Sequence, residues 1–194
     1  MLGNDVSKLA RAIEPCKRVL QCMRQQKDVL ILHTREGHRP CTSDLYVEKK
    51  RRSGSTLPTV IGTDGPKGRI LIRGEDGHDI ISDLYPKEGE PVIDKPGKGS
   101  FYATDLELIL RAQRITTLLV CGVTTEVCVH TTIREANDRG FHCIAIADAC
   151  ASYTDKFHES ALEMISAQGG IFGSVTTSEQ LVAAFEAHGG PKTD

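Results

Sequence analysis

Along this chain, short continuous apolar runs alternate with stretches whose apolar residues recur every three to four positions. Val29-Leu30-Ile31-Leu32 is such a run and predicts a strand over 28–33 that is buried on both faces. Residues 91–95, 116–121 and 141–147 read the same way, and 171–175 reads as a last short strand. The helical period predicts helices over 15–26, 105–113, 125–138 and 155–167, and from Ser178 to about Ala187. Pro15 suits a first helical position, Thr104 a cap, and Gly140 a helix end. Residues 35–68 are rich in Gly, Pro, Arg and Lys and read as a long irregular excursion, with 68–72 briefly extended. Apolar strands separated by helices imply an α/β protein of three α/β/α layers around a doubly wound parallel sheet. No repeat or linker divides residues 1–194, so a single domain is expected. Ligands in such folds lie at the carboxyl ends of the strands. Lys95, Cys128 and Asp148 end or follow three of them, so the pattern predicts that they converge on one rim.

Composition narrows the function classes. The formal charge is -2, so no global field favours nucleic acid or a membrane surface. No apolar run approaches the ~18 residues that span a bilayer, and no signal peptide opens the chain. Seven cysteines without a CxxC point to free thiols in a cytoplasmic setting. His and Cys do not cluster at ligand spacings, so neither a metal nor another cofactor is expected.

The candidate chemistry lies in Cys121-Gly122-Val123-Thr124-Thr125-Glu126-Val127-Cys128-Val129-His130. A buried strand feeds a turn, and Cys128 falls in the first turn of the following helix. Unpaired N–H groups and the positive end of the macrodipole favour a thiolate there and can bind an oxyanion. Most cysteines are simply small core residues, so this segment needs a second one beside it. That segment is Val92-Ile93-Asp94-Lys95-Pro96-Gly97-Lys98-Gly99-Ser100-Phe101-Tyr102.

Together these two segments closely resemble the isochorismatase-like cysteine hydrolases. His33-Thr34-Arg35-Glu36-Gly37-His38-Arg39-Pro40 and Ala167-Gln168-Gly169-Gly170 extend the match over residues 8–176. The finer pattern resembles the ureide-cleaving branch, which acts on biuret, ureidoacrylate or carbamoyl-amino-acid substrates. The resemblance implies a Rossmann-like fold, a homodimer or homotetramer, and a small-molecule substrate. It implies Cys128 as nucleophile and Lys95 as its electrostatic and proton-handling partner. It implies a cis peptide at Val123–Thr124 that aims the Thr124 and Cys128 N–H groups at an oxyanion. Substrate contacts fall to Lys98, Gln168, Arg35 and Tyr102.

One departure bears on activity. The family's triad aspartate lies on a first, central strand followed by Asp-x-Gln, and this chain has no such segment. The sequence therefore reads as N-terminally truncated, and Lys95, lacking a counter-charge, is expected to move or lose its proton. The leading expectation is a cysteine-dependent amidohydrolase of weak activity as the chain stands. Ether hydrolysis of isochorismate, or a non-catalytic binding subunit, are the alternatives. Cys128 is expected to be the most reactive of the seven thiols. Lys49-Lys50-Arg51-Arg52 reads as a solvated loop. Attraction of anionic substrates and contact with a neighbouring subunit are further readings of it.

Overall fold

A computed structural model describes residues 5–56 and 60–188. Helices α1 (Ser7–Ala10) and α2 (Ile13–Met23) lead to strand β1 (His33–Glu36). Helix α3 (Val47–Thr56) and a small hairpin, β2 (Asp64–Gly65) and β3 (Gly68–Arg69), follow. Then come β4 (Val92–Lys95), α4 (Leu106–Ala112), β5 (Thr117–Val123) and a π-helical turn over Thr125–Val129. The chain ends with α5 (His130–Asp138), β6 (His142–Ala151), α6 (Asp155–Gly170), β7 (Ser174–Thr176) and α7 (Ser178–His188).

Two parallel sheets result, β1–β4 and β5–β6–β7. They share the same two cores. Leu32, Ile93, Leu118, Val120, Cys143 and Ala145 face one cluster, covered by Leu110, Ile133 and Ile165 of α4, α5 and α6. Val29, Ile31, Leu119, Ile146 and Ala149 face the other, covered by Val19 and Met23 of α2 and Leu181 of α7. Alternate residues on each strand feed opposite faces, as a half-buried pleat requires. This is the expected three-layer α/β/α architecture. Among the described residues, however, no strand pairs the second edge of β1 or of β5, so the layer is divided between them.

Four sequence expectations need correction. The run 28–33 becomes a strand only from His33. The ladder with β4 begins at His33↔Val92, where the His33 N–H donates to the Pro91 carbonyl. Proline has no N–H to continue the ladder backwards, and the other edge is unpaired. The 35–68 excursion is not irregular throughout, because it contains α3. Its partly buried positions, Lys49 and Ser53, are polar and four residues apart, so hydrophobic periodicity could not show it. Pro15 is the third residue of α2 rather than the first. Asp148 leaves the expected rim constellation. Its carboxylate accepts the Ser178 N–H (2.7 Å) and hydroxyl (2.5 Å), which fixes the start of α7.

A second carboxylate ties α2 to the β1–β4 sheet. Glu90 accepts both forks of Arg24 at 2.8 Å, the Lys87 N–H at 2.9 Å, and lies 2.8 Å from His33 Nε2. The Arg24 guanidinium, against the cost of burial, holds its carboxyl down at about 2. A folded value below the unfolded one means stability that is present above about pH 4.5 and lost as pH falls toward 2. Glu90→Gln is therefore expected to flatten the decline of the urea midpoint between about pH 5 and pH 2. An unchanged acid limb in the variant would contradict this role for Glu90.

Candidate active site

Strand alternation puts Lys95 and Asp94 on opposite faces of β4. Asp94 pairs with Arg35 at 2.6 Å, whereas Lys95 turns inward and is 2 % exposed. A buried ammonium has three donors to satisfy. The Lys95 Nζ reaches the Lys98 carbonyl at 2.8 Å, the Gly97 carbonyl at 3.1 Å and the Cys128 Sγ at 3.5 Å. It therefore keeps its place without an aspartate. Two backbone carbonyls supply the partial negative charge that holds it there. Among the described residues it has no carboxylate partner.

The loop that supplies these carbonyls is docked on the helix behind Cys128. The Thr132 hydroxyl donates to the Cys128 carbonyl at 2.7 Å and accepts the Ser100 N–H at 3.1 Å. Both Ser100 and Thr132 are buried. A Cβ on Gly99 would lie 2.9 Å from Thr131 Cγ2, so glycine permits this close approach. On the other side, the Val123–Thr124 peptide is cis, and the Thr124 carbonyl accepts the N–H groups of Val127 and Val129. The buried Thr125 hydroxyl lies 2.8 Å from His158 Nδ1. Burial pulls His158 below the ordinary imidazole range.

Two charged side chains complete the surroundings. Glu36, at the end of β1, is bonded by Lys49 Nζ at 2.6 Å and by Lys98 Nζ at 2.9 and 3.0 Å. Lys49 also donates to the Pro96 carbonyl at 2.6 Å. Burial pushes the Glu36 carboxyl up, but the Lys98 and Lys49 ammoniums more than reverse this, and the net direction is down. The Tyr46 and Tyr102 hydroxyls meet at the rim. A cavity of about 590 Å³ lies between α3 and the 96–102 loop, lined by Tyr46, Lys49, Gly97, Lys98 and Tyr102 among others. A second hollow of about 760 Å³ on α3, lined by Thr42, Leu45 and Val60, has none of the site residues.

This geometry can be set beside known proteins. The isochorismatase domain model matches residues 2–180. The chain belongs to the isochorismatase family. Curated relatives in this family include the ureidoacrylate amidohydrolase RutB of Acinetobacter baylyi, 31% identical over 193 residues, covering 96% of this chain and 76% of that protein. RutB of Methylobacterium radiotolerans is 35% identical over 120 residues, 61% of this chain. The chain spans only 44% of that protein and 48% of the uncharacterized isochorismatase family protein YwoC of Bacillus subtilis. Among solved structures, a cysteine hydrolase from Pseudomonas syringae pv. phaseolicola has a TM-score of 0.78 at 27% identity, covering 93% of this chain and 83% of that one. An N-carbamoylsarcosine amidase from Thermoplasma acidophilum, at 23% identity, has a TM-score of 0.70, with coverage of 89% and 85%, and shares the fold.

Within the isochorismatase fold, the residues predicted from sequence divide into two groups. Cys128, Lys95, Lys98 and the cis pair Val123–Thr124 gather around the Thr125–Val129 turn and the 96–102 loop, and Tyr102 lines the cavity. Arg35 does not join them. It follows the opposite face of β1 from Glu36 and is held by Asp94 and Asp79, each at 2.6 Å. Gln168 is exposed at the end of α6, with a left-handed φ of 53°, and its side chain makes no hydrogen bond among the described residues. Sequence reasoning missed the Glu36 carboxylate and the Ser100–Thr132 bridge, and took Lys49 only as part of a basic run. Period-2 counting along His33–Glu36 could have separated Arg35 from Glu36, whereas the bridge is a tertiary contact with no local signal. Among the described residues no helix is long and apolar enough to cross a membrane, and no three His, Cys, Asp or Glu side chains group as metal ligands.

Proposed function

We propose that the chain is a cysteine-dependent amidohydrolase that cleaves a C–N bond of a small ureide or amide. The observation that carries this reading is the Lys95 Nζ–Cys128 Sγ contact at 3.5 Å. A buried ammonium beside a sulfur pairs with a thiolate charge and can pass a proton to a leaving nitrogen. Cys128 Sγ attacks the carbonyl carbon, and the C–S bond forms as the oxygen takes up negative charge. The Thr124 and Cys128 N–H groups stabilise that oxyanion. The C–N bond breaks, ammonia or an amine leaves with the proton, and water cleaves the C–S bond to release the acid and free thiol. The RutB names among the relatives support a ureide as substrate class. The absence of a carboxylate partner for Lys95 among the described residues favours a second reading, a binding subunit that keeps the fold without the rate.

The test is ammonia release from biuret, ureidoacrylate, N-carbamoylsarcosine and nicotinamide, with isochorismate cleavage followed in parallel. A ureide is expected to be turned over fastest. Faster isochorismate turnover, or no turnover of any ureide, would set this reading aside. Thiol labelling gives an independent readout, and here the sequence expectation needs adjustment. Cys16, Cys143 and Cys150 are buried, and burial pushes the Cys143 thiol up to about 11. Cys41, however, is exposed, and the Ser43 hydroxyl and backbone N–H hold it below the usual thiol range. Cys121 is exposed as well, so Cys41, Cys121 and Cys128 are all expected to label, and Cys128 is expected to lead in a Cys41→Ser, Cys121→Ser background. A Cys128 that labels no faster than the buried thiols would argue against an activated nucleophile.

A further inference from the structure

Two thiols meet between α2 and the end of β5. Cys16, on α2, is buried in the core that also holds Leu119 and Ala149, and its Sγ donates to the Ala149 carbonyl at 3.2 Å. Cys121 lies two residues beyond Leu119 on β5, so the pleat turns it to the same face. The ladder with β6 pairs the next residue, Gly122, with Cys150, so Cys121 runs beside Ala149, the residue that Cys16 bonds. The Cys16 and Cys121 side chains accordingly hydrogen-bond to each other. Cys150 is buried nearby, and its sulfur is turned to the Val120 carbonyl at 3.9 Å. Cys121 is exposed, and among the described residues no strand pairs the outer edge of β5. One member of the pair is therefore open to solvent and the other is closed. The shared bond raises the Cys16 thiol, with burial adding to it, and holds the Cys121 thiol below its usual range. The exposed member is the one that ionises first, and the thiolate is the form that oxidises.

We propose that Cys121 and Cys16 are a peroxide-sensitive dithiol, a modification site separate from the Lys95–Cys128 pair. It does not rest on the amidohydrolase reading. The oxidant is a small hydroperoxide, such as hydrogen peroxide. The Cys121 thiolate attacks one peroxide oxygen, the O–O bond breaks, and the departing hydroxide takes up a proton to become water. Cys121 then carries a sulfenic acid. The Cys16 sulfur attacks the Cys121 sulfur, the S–O bond breaks, and a second water leaves with the Cys16 proton. The two thiols lose two electrons and the peroxide gains them. The resulting disulfide joins α2 to the strand that runs into the Thr125–Val129 turn.

The test uses the full chain carrying Cys41→Ser and Cys128→Ser, so that Cys121 is the one cysteine left in its tryptic peptide. Dilute protein is treated with hydrogen peroxide, alkylated, and digested with trypsin without reduction. Residues 12–17 and 115–134 are expected to leave as one linked peptide. The link should form about 10-fold or more faster than the buried Cys143 is modified, and a reductant should reverse it. Cys16→Ala should abolish the link and leave Cys121 as a sulfenic acid that dimedone traps. Cys150→Ser should leave the link intact. Cys121 joined to Cys150 or Cys22 instead, dimedone-trapped Cys121 without any link while Cys16 is present, or a Cys121 that peroxide does not touch would each overturn the proposal. Phenylarsine oxide probes the same contact without substitution of either member and without oxidation. It binds two neighbouring thiols at once and should block Cys16 and Cys121 together from alkylation. Protection of neither would show that the two sulfurs do not meet.

Discussion

Amide hydrolysis is expected to rise by about 100-fold or more when a β-strand bearing an aspartate before an x-Gln pair is appended ahead of Met1. The two sheets offer facing vacancies in the ladder. Among the described residues, β1 is paired only with β4, and β5 only with β6 on its other side. The flanking pairings are both parallel, and Leu118 to Val120 of β5 reach the same two cores as Val29, Ile31 and Leu32 just ahead of β1. A parallel strand with apolar side chains alternating between those cores satisfies backbone groups on two edges at once, and unpaired edges are otherwise prone to association. Its acidic residue would add a full counter-charge to Lys95, whose partners among the described residues are two carbonyls and a sulfur. The expected results are a rate increase, a loss of concentration-dependent aggregation in light scattering, and a strand substituted Asp→Asn that restores solubility without the rate. An extended protein no faster than the chain as it stands would show that the carbonyl-held lysine is sufficient.

The second large effect concerns the catalytic pair. Lys95→Met is expected to lower kcat by about 10²–10⁴-fold, the usual contribution of a positioned proton-transfer group, with KM changed far less. The carbonyls of Gly97 and Lys98 would lose their donor, and each buried acceptor left unpaired costs about 1–3 kcal/mol. Removal of a buried ammonium offsets part of this. The variant should therefore fold with a modestly lower urea midpoint while losing most of its rate. Cys128→Ser should lose at least as much activity with little change in stability, because the side chain is nearly the same size and its own backbone carbonyl keeps the Thr132 bond. Retained ureide turnover in Cys128→Ser would exclude a covalent step at this residue.

The parts of the site carried by local pattern were legible in the sequence. The apolar run before Cys121 and the helical period after Thr131 place Cys128 in the turn between β5 and α5, and β4 ends at Lys95 as its alternation requires. What escaped depends on partners distant in sequence. The run at 29–32 looks like a strand by composition, yet pairing is decided by Pro91 and by an edge without a neighbour. The basic run at 49–52 looks like a solvated loop, yet Lys49 reaches Glu36, thirteen residues earlier, and is largely covered. Arg35 carries the right charge beside the right motif, and only the pleat shows that it points to the wrong face. His158 gave no signal because its bond to Thr125 joins two helical turns that periodicity treats separately.

The Thr132 bridge has a consequence for how this protein can change. Thr132 fastens the nucleophile's carbonyl to Ser100, and Gly99 lets the loop sit flat against α5, so the Lys95–Cys128 pair is clamped from behind. The opposite wall of the cavity belongs to α3, a polar helix attached to this frame through the Lys49 bonds and the tyrosine pair. Reaction and recognition are thus built on separate pieces of chain. A change in the length or charge of residues 41–56 would reshape that wall, while the spacing of ammonium and sulfur stays where the hydroxyl clamp holds it.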